Sequence, residues 1–349
     1  MSDSQRPDVP SRKKFFYPII DPLRDYLKQY DREIDLPVRY SDLLRFNFHT
    51  PLLNKDGSDT LWQTVYYSEG EMKELFPALT YIYALMHIDG DKRSLQQLTV
   101  ARIDFCSFGN SQPFRIRIIN SLNDNYDHFY IKRADASRIY GLELEHTLSP
   151  NRIIYISSGD TLAEGHIPGL PGDVFINHRL GTSKFNQIRI CKEFVKFNER
   201  CFLRLLGDMR SYNFVVDITP DIEGNQYRIR AIDFDQQSYE GRRKFYLPHF
   251  FKENNALNNL GMKYITEDTM RQYQEEERSL IAQRVRIARF RLHDLMKVMR
   301  IDKISPEEKV KQLAADLGEY HKTDAFDNCN TMGQILTEHM HIILTRTKL

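Results

Sequence analysis

The residues of this sequence with the clearest chemical potential lie in two short stretches, LGDMRSYNFVVD at 206–217 and RAIDFDQ at 230–236. Asp208 and Asn213 lie in the first stretch, and Asp233 lies in the second. Carboxylate and amide oxygens are ligands for a hard cation such as Mg²⁺. A carboxylate can also orient a hydroxyl group and accept its proton. These residue types therefore fit phosphoryl transfer, which needs few protein groups but needs them held rigidly.

A helix and a pair of strands are expected to hold these residues in place. Residues 185–206 carry apolar side chains at helical spacing, which predicts a long helix that leads into the first stretch. Residues 214–218 and 227–232 are β-rich and predict two strands joined by a hairpin. Asn213 then begins the first strand and Asp233 ends the second, so both are fixed to a stiff scaffold.

In these two stretches the sequence resembles the protein-kinase-like superfamily, which includes protein kinases and aminoglycoside-type phosphotransferases. The catalytic loop of that superfamily reads Asp-x-x-x-x-Asn, and Asp208-Met-Arg-Ser-Tyr-Asn213 has that spacing. The metal-binding motif of the superfamily reads Asp-Phe-Gly after a short apolar strand. Here the corresponding residues are Asp233-Phe-Asp235. The resemblance covers about residues 98–240.

The resemblance implies a role for each matching residue. Asp208 corresponds to the catalytic base, and Asn213 and Asp233 correspond to the Mg²⁺ ligands. Arg210 occupies the place where protein kinases carry a lysine that steadies the transferred phosphate. ATP is the phosphoryl donor that the resemblance implies, with Mg²⁺ as its metal cofactor.

The superfamily also has a strand lysine that binds the α- and β-phosphates and pairs with a helix glutamate. Lys132 ends a predicted strand and precedes a predicted helix, as that lysine does. Glu143 and Glu145 both lie on this helix, and they point about 200° apart because a helix turns about 100° per residue. Only one of them can face the lysine. Leu142 and Leu148 favour Glu145, because the three-residue spacing places all three on one face.

The sequence departs from the superfamily pattern at several positions. The glycine-rich loop is absent, and Gly109 alone lies between the first two predicted strands as a candidate phosphate contact. Asp235 replaces the glycine of the metal motif, which makes it either a ligand for a second metal ion or a solvated turn residue. Leu206 stands where protein kinases have a histidine, and no Ala-Pro-Glu signature follows.

The pattern and the resemblance together predict an α+β fold of the two-lobed protein-kinase-like type. We expect a partly helical N-terminal extension at residues 1–92, a small antiparallel-sheet N-lobe at 93–165, and a mainly helical C-lobe at 166–349. The glycine-rich segment 159–172 is expected to connect the lobes. The predicted helices outside the C-lobe are 17–30, 68–87 with a kink or break at Pro77, and 135–148, and the predicted N-lobe strands are 98–105, 114–119, 127–133 and 152–157.

The C-terminal part of the sequence is expected to be mostly helical from residue 245 onward. Its strongest helical segment is 266–299, which has a glutamate-rich start and an arginine-rich end. Arginines at 284, 286, 289 and 291 spread around this helix, which favours a solvated face over a nucleic-acid surface.

Composition narrows the class of protein further. The chain has 349 residues and a net charge of +1, so no overall field favours nucleic acid or a membrane surface as a partner. Its four cysteines are scattered, which argues against a disulfide framework or a zinc site. The polar N-terminus has no signal-peptide pattern, and no run is apolar enough to span a membrane. We therefore expect a cytoplasmic protein.

The function predicted from the sequence is ATP- and Mg²⁺-dependent transfer of a phosphoryl group to a hydroxyl. The acceptor, a small molecule or a protein, is not indicated by any motif. Three alternatives stay open: an inactive nucleotide-binding pseudokinase, an enzyme of the same fold that transfers AMP, and an interaction scaffold built from the helical C-terminal half.

Overall fold

A computed structural model of the chain describes residues 14–54, 56–87, 95–108, 110–180, 183–222 and 224–346. The fold is α+β, with a mostly antiparallel sheet and many helices, and its residues cluster into two compact units. Unit 1 contains the described parts of residues 1–18, 34–134 and 156–165. Unit 2 contains the described parts of residues 19–33, 135–155 and 166–349. Among the described residues, no helix combines the length and the apolar character that crossing a bilayer requires.

The elements are numbered in chain order. The helices are α1 (Asp21–Gln29), α2 (Tyr40–Leu43), α3 (Glu69–His87), α4 (Ala136–Leu148), α5 (Gly172–His178), α6 (Lys184–Arg204), α7 (Asn255–Tyr264), α8 (Glu267–Ile287), α9 (Arg289–Met299), α10 (Glu307–His321) and α11 (Met332–Arg346). The strands are β1 (Phe48–Leu53), β2 (Asp59–Tyr66), β3 (Leu98–Phe105), β4 (Phe114–Asn120), β5 (Tyr126–Arg133), β6 (Tyr155–Ser158), β7 (Thr161–Gly165), β8 (Leu170–Pro171), β9 (Phe214–Asp221) and β10 (Gly224–Ala231). Short 3₁₀ turns cover Ser211–Asn213, Arg243–Tyr246, Pro248–Phe250 and Lys252–Asn254.

Unit 1 is built on a seven-stranded sheet with the order β1-β2-β3-β4-β5-β7-β6. The alternation expected for β4 is confirmed, because Phe114, Ile116 and Ile118 are buried while the residues between them are partly exposed. Leu79 and Ile82 of α3 belong to the same apolar cluster. One face of the sheet therefore forms the core of unit 1, together with α3.

Helix α3 is one continuous helix, so of the kink or break predicted at Pro77 the break is wrong. Its start is capped, since the backbone N–H of Ser68 donates to Glu71 Oε2 at 3.0 Å and the N–H of Glu71 donates to Ser68 Oγ at 3.3 Å. Pro77 lies inside the helix without splitting it. Packing of α3 on the sheet therefore outweighs the hydrogen bond that the proline removes.

The compact units differ from the expected domains at several elements. Strands β1 and β2 lie in the expected N-terminal extension, yet they pair with each other, and β2 pairs with β3. Residues 19–33 of that extension cluster with unit 2. Strand β7 lies at the end of the expected N-lobe and pairs with β5. Helix α4, expected in the N-lobe, clusters with unit 2.

Unit 2 is organised around α6, which packs against α7, α8, α11 and β10. The prediction of a single helix over 266–299 is wrong. Ala288 has non-helical backbone angles, and it separates α8 from α9. Strands β8, β9 and β10 form a small sheet beside α5 and the turn Ser211–Asn213. Gly172 permits this approach, because a Cβ there would lie 2.4 Å from the carbonyl oxygen of Ser211.

A pair of buried histidines joins three helices of unit 2. His321 Nε2 of α10 lies 3.0 Å from His339 Nδ1 of α11, and His339 Nε2 lies 3.0 Å from the carbonyl oxygen of Phe202 in α6. Burial, aided by the nearby His321, lowers the pKa of His339 to about 3. Between about pH 3 and pH 6.5, His339 is therefore mostly neutral in the folded protein, whereas it is mostly protonated in the unfolded chain.

This difference predicts acid lability. Because the folded pKa is below the ordinary value of 6.5, the stabilisation from neutral His339 is complete above pH 6.5 and is lost as the pH falls toward 3. The largest slope from this one group is about 1.4 kcal/mol of unfolding free energy per pH unit. We expect His339→Gln to have a shallower slope than the parent protein between pH 6.5 and 5, measured by urea unfolding.

His341→Gln is the matched control, because His341 is exposed on the same helix. It should keep the slope of the parent protein. Equal slopes for the parent protein and His339→Gln would contradict the assignment.

Candidate functional site

The candidate site of unit 2 begins where α6 ends. Leu205 closes the helix in the left-handed region with φ of 53°, and Asp208 follows in the same region with φ of 57°. Leu206 forms a bridge with Gln237, and the N–H of Gly207 donates to the carbonyl of Gln236 at 3.2 Å. The loop that carries Asp208 is thus tied to the segment after β10.

Asp208 is held by its neighbours in the expected motif. Its carboxylate accepts from Arg210 Nε at 2.8 Å, and its carbonyl oxygen accepts from Asn213 Nδ2 at 2.7 Å. Asn213 Nδ2 also lies 3.5 Å from Asp208 Oδ2. Burial raises the pKa of Asp208 to about 6, against the opposing effect of Arg210 and with a further increase from the charge of Asp233. A carboxylate with this pKa is well suited to exchange a proton near neutral pH.

Asn213 and Asp233 lie at the same end of the β9–β10 pair. Phe214 is opposite Ala231 in the register, and the N–H of Ile232 donates to the carbonyl oxygen of Asn213 at 3.0 Å. The hairpin therefore brings together two residues that are distant in sequence. Within the described residues, the Oδ1 atom of Asn213 makes no hydrogen bond, and 36% of the Asp233 side chain is exposed.

Arg138 is a residue of this site that sequence reasoning missed. Its NH1 donates to Asp233 Oδ1 at 3.0 Å and to Asp235 Oδ1 at 2.8 Å, and its side chain is almost fully buried. The N–H of Asp235 also donates to Asp233 Oδ1, at 3.0 Å. Arg138 lies on α4, and no motif spacing links that helix to the metal motif. Only the folded chain reveals the contact.

Asp235 is buried, so the prediction of a solvated turn residue is wrong, and its carboxylate accepts from Arg138 NH1. The alternative role, as a ligand for a second metal ion, stays a prediction. The Asn213 amide oxygen and the Asp233 carboxylate are donors of the type that Mg²⁺ prefers, and phosphate and water oxygens would have to complete the coordination. Among the described residues, no group of three or more His, Cys, Asp and Glu side chains is arranged to hold a metal ion.

Arg210 is paired with two carboxylates near the Asp208 loop. It bridges two acids, because Nε donates to Asp208 and NH1 donates to Glu253 Oε1 at 2.7 Å. Its guanidinium carbon also lies 5.2 Å from the centroid of the Phe251 ring. Glu253 is thus a second neighbour of the Asp208 loop that spacing could not indicate.

In unit 1, Lys132 has a different partner from the expected one. Its Nζ donates to Glu164 Oε2 at 2.8 Å, and both side chains are buried. Glu164 lies on β7, the neighbour of β5, and sits diagonally to the lysine because Tyr130 is its direct partner in the register. The prediction that a helix glutamate fills this role is wrong. Gly109 lies outside the described residues.

Glu143 of α4 is instead part of a buried cluster in unit 2. Its carboxylate accepts from the hydroxyls of Tyr26 and Tyr155, the latter at 2.7 Å, and from Arg291 Nε at 3.0 Å. Arg32 Nε lies 3.3 Å away. The positive neighbours and the hydroxyl donors outweigh burial and lower the pKa of Glu143.

Glu145, the favoured partner of Lys132, is equally occupied. It pairs with the buried Arg204 of α6 and accepts from Ser149 Oγ at 2.5 Å and from Asn151 Nδ2 at 2.9 Å. The argument that favoured Glu145 assumed that α4 has one apolar face. Almost every residue of α4 is buried, so no such face distinguishes the two glutamates.

Comparison of the chain with protein-family models and with curated proteins finds no match. The site is therefore defined by its own residues and their contacts.

The buried pair of Glu145 and Arg204 predicts a structural role. We expect Glu145→Gln to lower the free energy of unfolding by about 3 kcal/mol, because the variant leaves a buried guanidinium without a counter-charge. Glu275→Gln on the exposed part of α8 is the control and should change stability by less than about 0.5 kcal/mol. Chemical denaturation measures both. A Glu145→Gln variant as stable as the control would show that this pair contributes little.

Proposed function

We propose that this chain is an ATP- and Mg²⁺-dependent phosphotransferase with a two-lobed protein-kinase-like fold. It acts on a hydroxyl group of a small molecule or a protein. The observation that carries the proposal is the convergence of Asp208, Asn213 and Asp233. Asn213 Nδ2 donates to the carbonyl oxygen of Asp208, and the N–H of Ile232, the neighbour of Asp233, donates to the carbonyl oxygen of Asn213.

Each residue of the cluster has a proposed task. Asp208 orients the acceptor hydroxyl and accepts its proton, for which a pKa of about 6 is suitable. Arg210 offsets negative charge on the transferred group. Asn213 and Asp233 hold Mg²⁺, which when bound supplies further positive charge to the phosphates. Lys132 is proposed to bind the phosphates of ATP.

The reaction balances without a further reactant. The acceptor oxygen forms a bond to the γ-phosphorus, and the bond from that phosphorus to the β–γ bridging oxygen breaks. The bridging oxygen keeps the electron pair and leaves as part of ADP. The hydroxyl proton passes to the Asp208 carboxylate, which later releases it to water.

Removal of the proposed base tests this function directly. We expect Asp208→Asn to reduce turnover at least about 100-fold, because the amide cannot accept the proton. Its affinity for Mg²⁺-ATP should stay close to that of the parent protein. Turnover is measured as ADP release with a panel of hydroxyl-bearing acceptors, and nucleotide binding as a thermal shift.

The control is Asp268→Asn, which removes an exposed carboxylate from the first turn of α8. It should have the turnover of the parent protein. Undiminished turnover in Asp208→Asn would remove this residue from the mechanism.

A second candidate function is nucleotide binding without catalysis. The observation that favours it is Arg138, whose guanidinium donates to Asp233 Oδ1 and already places a positive charge at the proposed metal-binding carboxylate. In a catalytic protein Mg²⁺ would share this carboxylate with Arg138. In a non-catalytic protein Arg138 could replace the metal and neutralise the nucleotide site by itself.

The metal dependence of nucleotide binding separates the two candidates. For a phosphotransferase we expect ATP to bind in Mg²⁺ and to bind poorly in EDTA. We also expect Arg138→Gln to bind Mg²⁺-ATP more tightly, because a competing cation is gone. Isothermal titration calorimetry measures the affinities, and circular dichroism checks that the variant is folded. Arg286→Gln, at an exposed arginine of α8, is the control.

A nucleotide-binding protein without catalytic activity would give the opposite binding results. ATP would then bind equally well in EDTA, and Arg138→Gln would lose that binding.

A further inference from the structure

Unit 2 contains a cavity of about 960 Å³ that the proposed reaction does not use. It is lined by residues of α6, α7, α8 and α10 and by the segment that follows Gly241. Its apolar lining includes Phe194, Phe202, Leu247, Leu257 and Ile265. A cavity of this size can hold a drug-sized molecule, and apolar side chains are the usual lining of such sites.

The charged groups of the wall are already paired within the protein. Arg278 Nε donates to Glu199 Oε1 at 2.6 Å. Arg243 lies over the Tyr320 ring, 4.2 Å from its centroid, and its Nε has its counter-charge in Asp316 Oδ1 at 3.7 Å, although this buried Nε makes no hydrogen bond. A charged ligand would therefore lose its hydration in this cavity without gaining a free counter-charge.

Two further titratable groups of the lining, Glu267 and His249, also add no unpaired charge to the cavity. Glu267, at the exposed start of α8, pairs with Arg271. Burial lowers the pKa of His249, so this ring is neutral at pH 7, and its Nδ1 lies 2.9 Å from Asn198 Oδ1. Amide side chains of Asn255, Asn259 and Gln274 complete the lining and offer uncharged hydrogen-bond partners.

We infer that this cavity binds an uncharged small molecule with a largely apolar body and one or two hydroxyl or amide groups. The inference does not depend on phosphotransferase activity, since it rests on the cavity and on the pairing of its charges. Burial of the apolar body supplies the affinity, and the amide side chains orient the polar end.

The cavity also has a physical connection to the Asp208 loop. The segment that contributes Leu247 and His249 to the lining also holds the loop through its other residues. The N–H of Asp208 donates to the carbonyl oxygen of Phe245 at 3.1 Å, and Asn254 Nδ2 donates to the carbonyl oxygen of Met209 at 2.9 Å. The cavity and the loop of the proposed base therefore share one supporting segment.

Gly261 offers a position from which the cavity can be filled. It lies in α7 and lines the cavity, and a Cβ added there would meet no atom within 4 Å. We therefore expect Gly261→Trp to place a large ring at the cavity without a clash at Cβ, and Gly261→Ala is the matched control.

The test uses N-phenyl-1-naphthylamine, a neutral apolar fluorophore, with the full chain. We expect saturable binding at one site in the parent protein and in Gly261→Ala, and at least tenfold weaker binding in Gly261→Trp. Met270→Trp, which fills the cavity from α8, should have the same effect. Circular dichroism and the thermal midpoint establish that each variant is folded.

The anionic analogue 1-anilinonaphthalene-8-sulfonate tests the chemical class of the ligand. It has nearly the same apolar body, and we expect it to bind at least tenfold more weakly than the neutral probe. Equal or tighter binding of the sulfonate would overturn the uncharged class. Absence of saturable binding of the neutral probe, or unchanged binding in both tryptophan variants, would overturn the site.

Discussion

The candidate site depends on the hydrogen bonds that fix the end of α6 to the segment after β10. The N–H of Ser238 donates to the carbonyl of Leu205 at 2.8 Å, and Gln237 Nε2 donates to the carbonyl of Arg204 at 2.6 Å. Leu205 and Asp208 have positive φ values, which cost about 1 kcal/mol or more each outside glycine. The hydrogen bonds between the two segments compensate for this strain. The backbone conformation at Asp208 then sets the direction of its side chain.

Charge balance at the site follows from the same arrangement. Arg138 is shared between Asp233 and Asp235, and Arg210 is shared between Asp208 and Glu253. Four carboxylates against two guanidinium groups leave two negative charges when all are ionised. Burial is the main cause of the raised pKa of Asp208, and the negative charges of Asp233 and Glu240 raise it further. A divalent cation would remove the excess, which is why the electrostatics support the proposal of Mg²⁺.

The elements predicted well from the sequence are those in which the spacing of apolar residues matches the pattern of buried side chains. Strands β3 to β5 and helix α6 were predicted close to their observed bounds. Strand β1 was not, because most of its residues are exposed and Pro51 interrupts any alternation. Residues 208, 213 and 233 could be grouped because two motifs and a hairpin constrain them. Arg138 could not, because a contact between a helix and a distant loop leaves no period in the sequence.

The surroundings of Lys132 and of Asp233 are built in two different ways. Glu164 belongs to the same sheet as Lys132, and the two side chains lie on neighbouring strands. The glutamates of α4 pair with Arg204 and Arg291 in unit 2. Strand pairing within unit 1 therefore brings Glu164 to Lys132, whereas a contact from α4 to the segment after β10 brings Arg138 to Asp233.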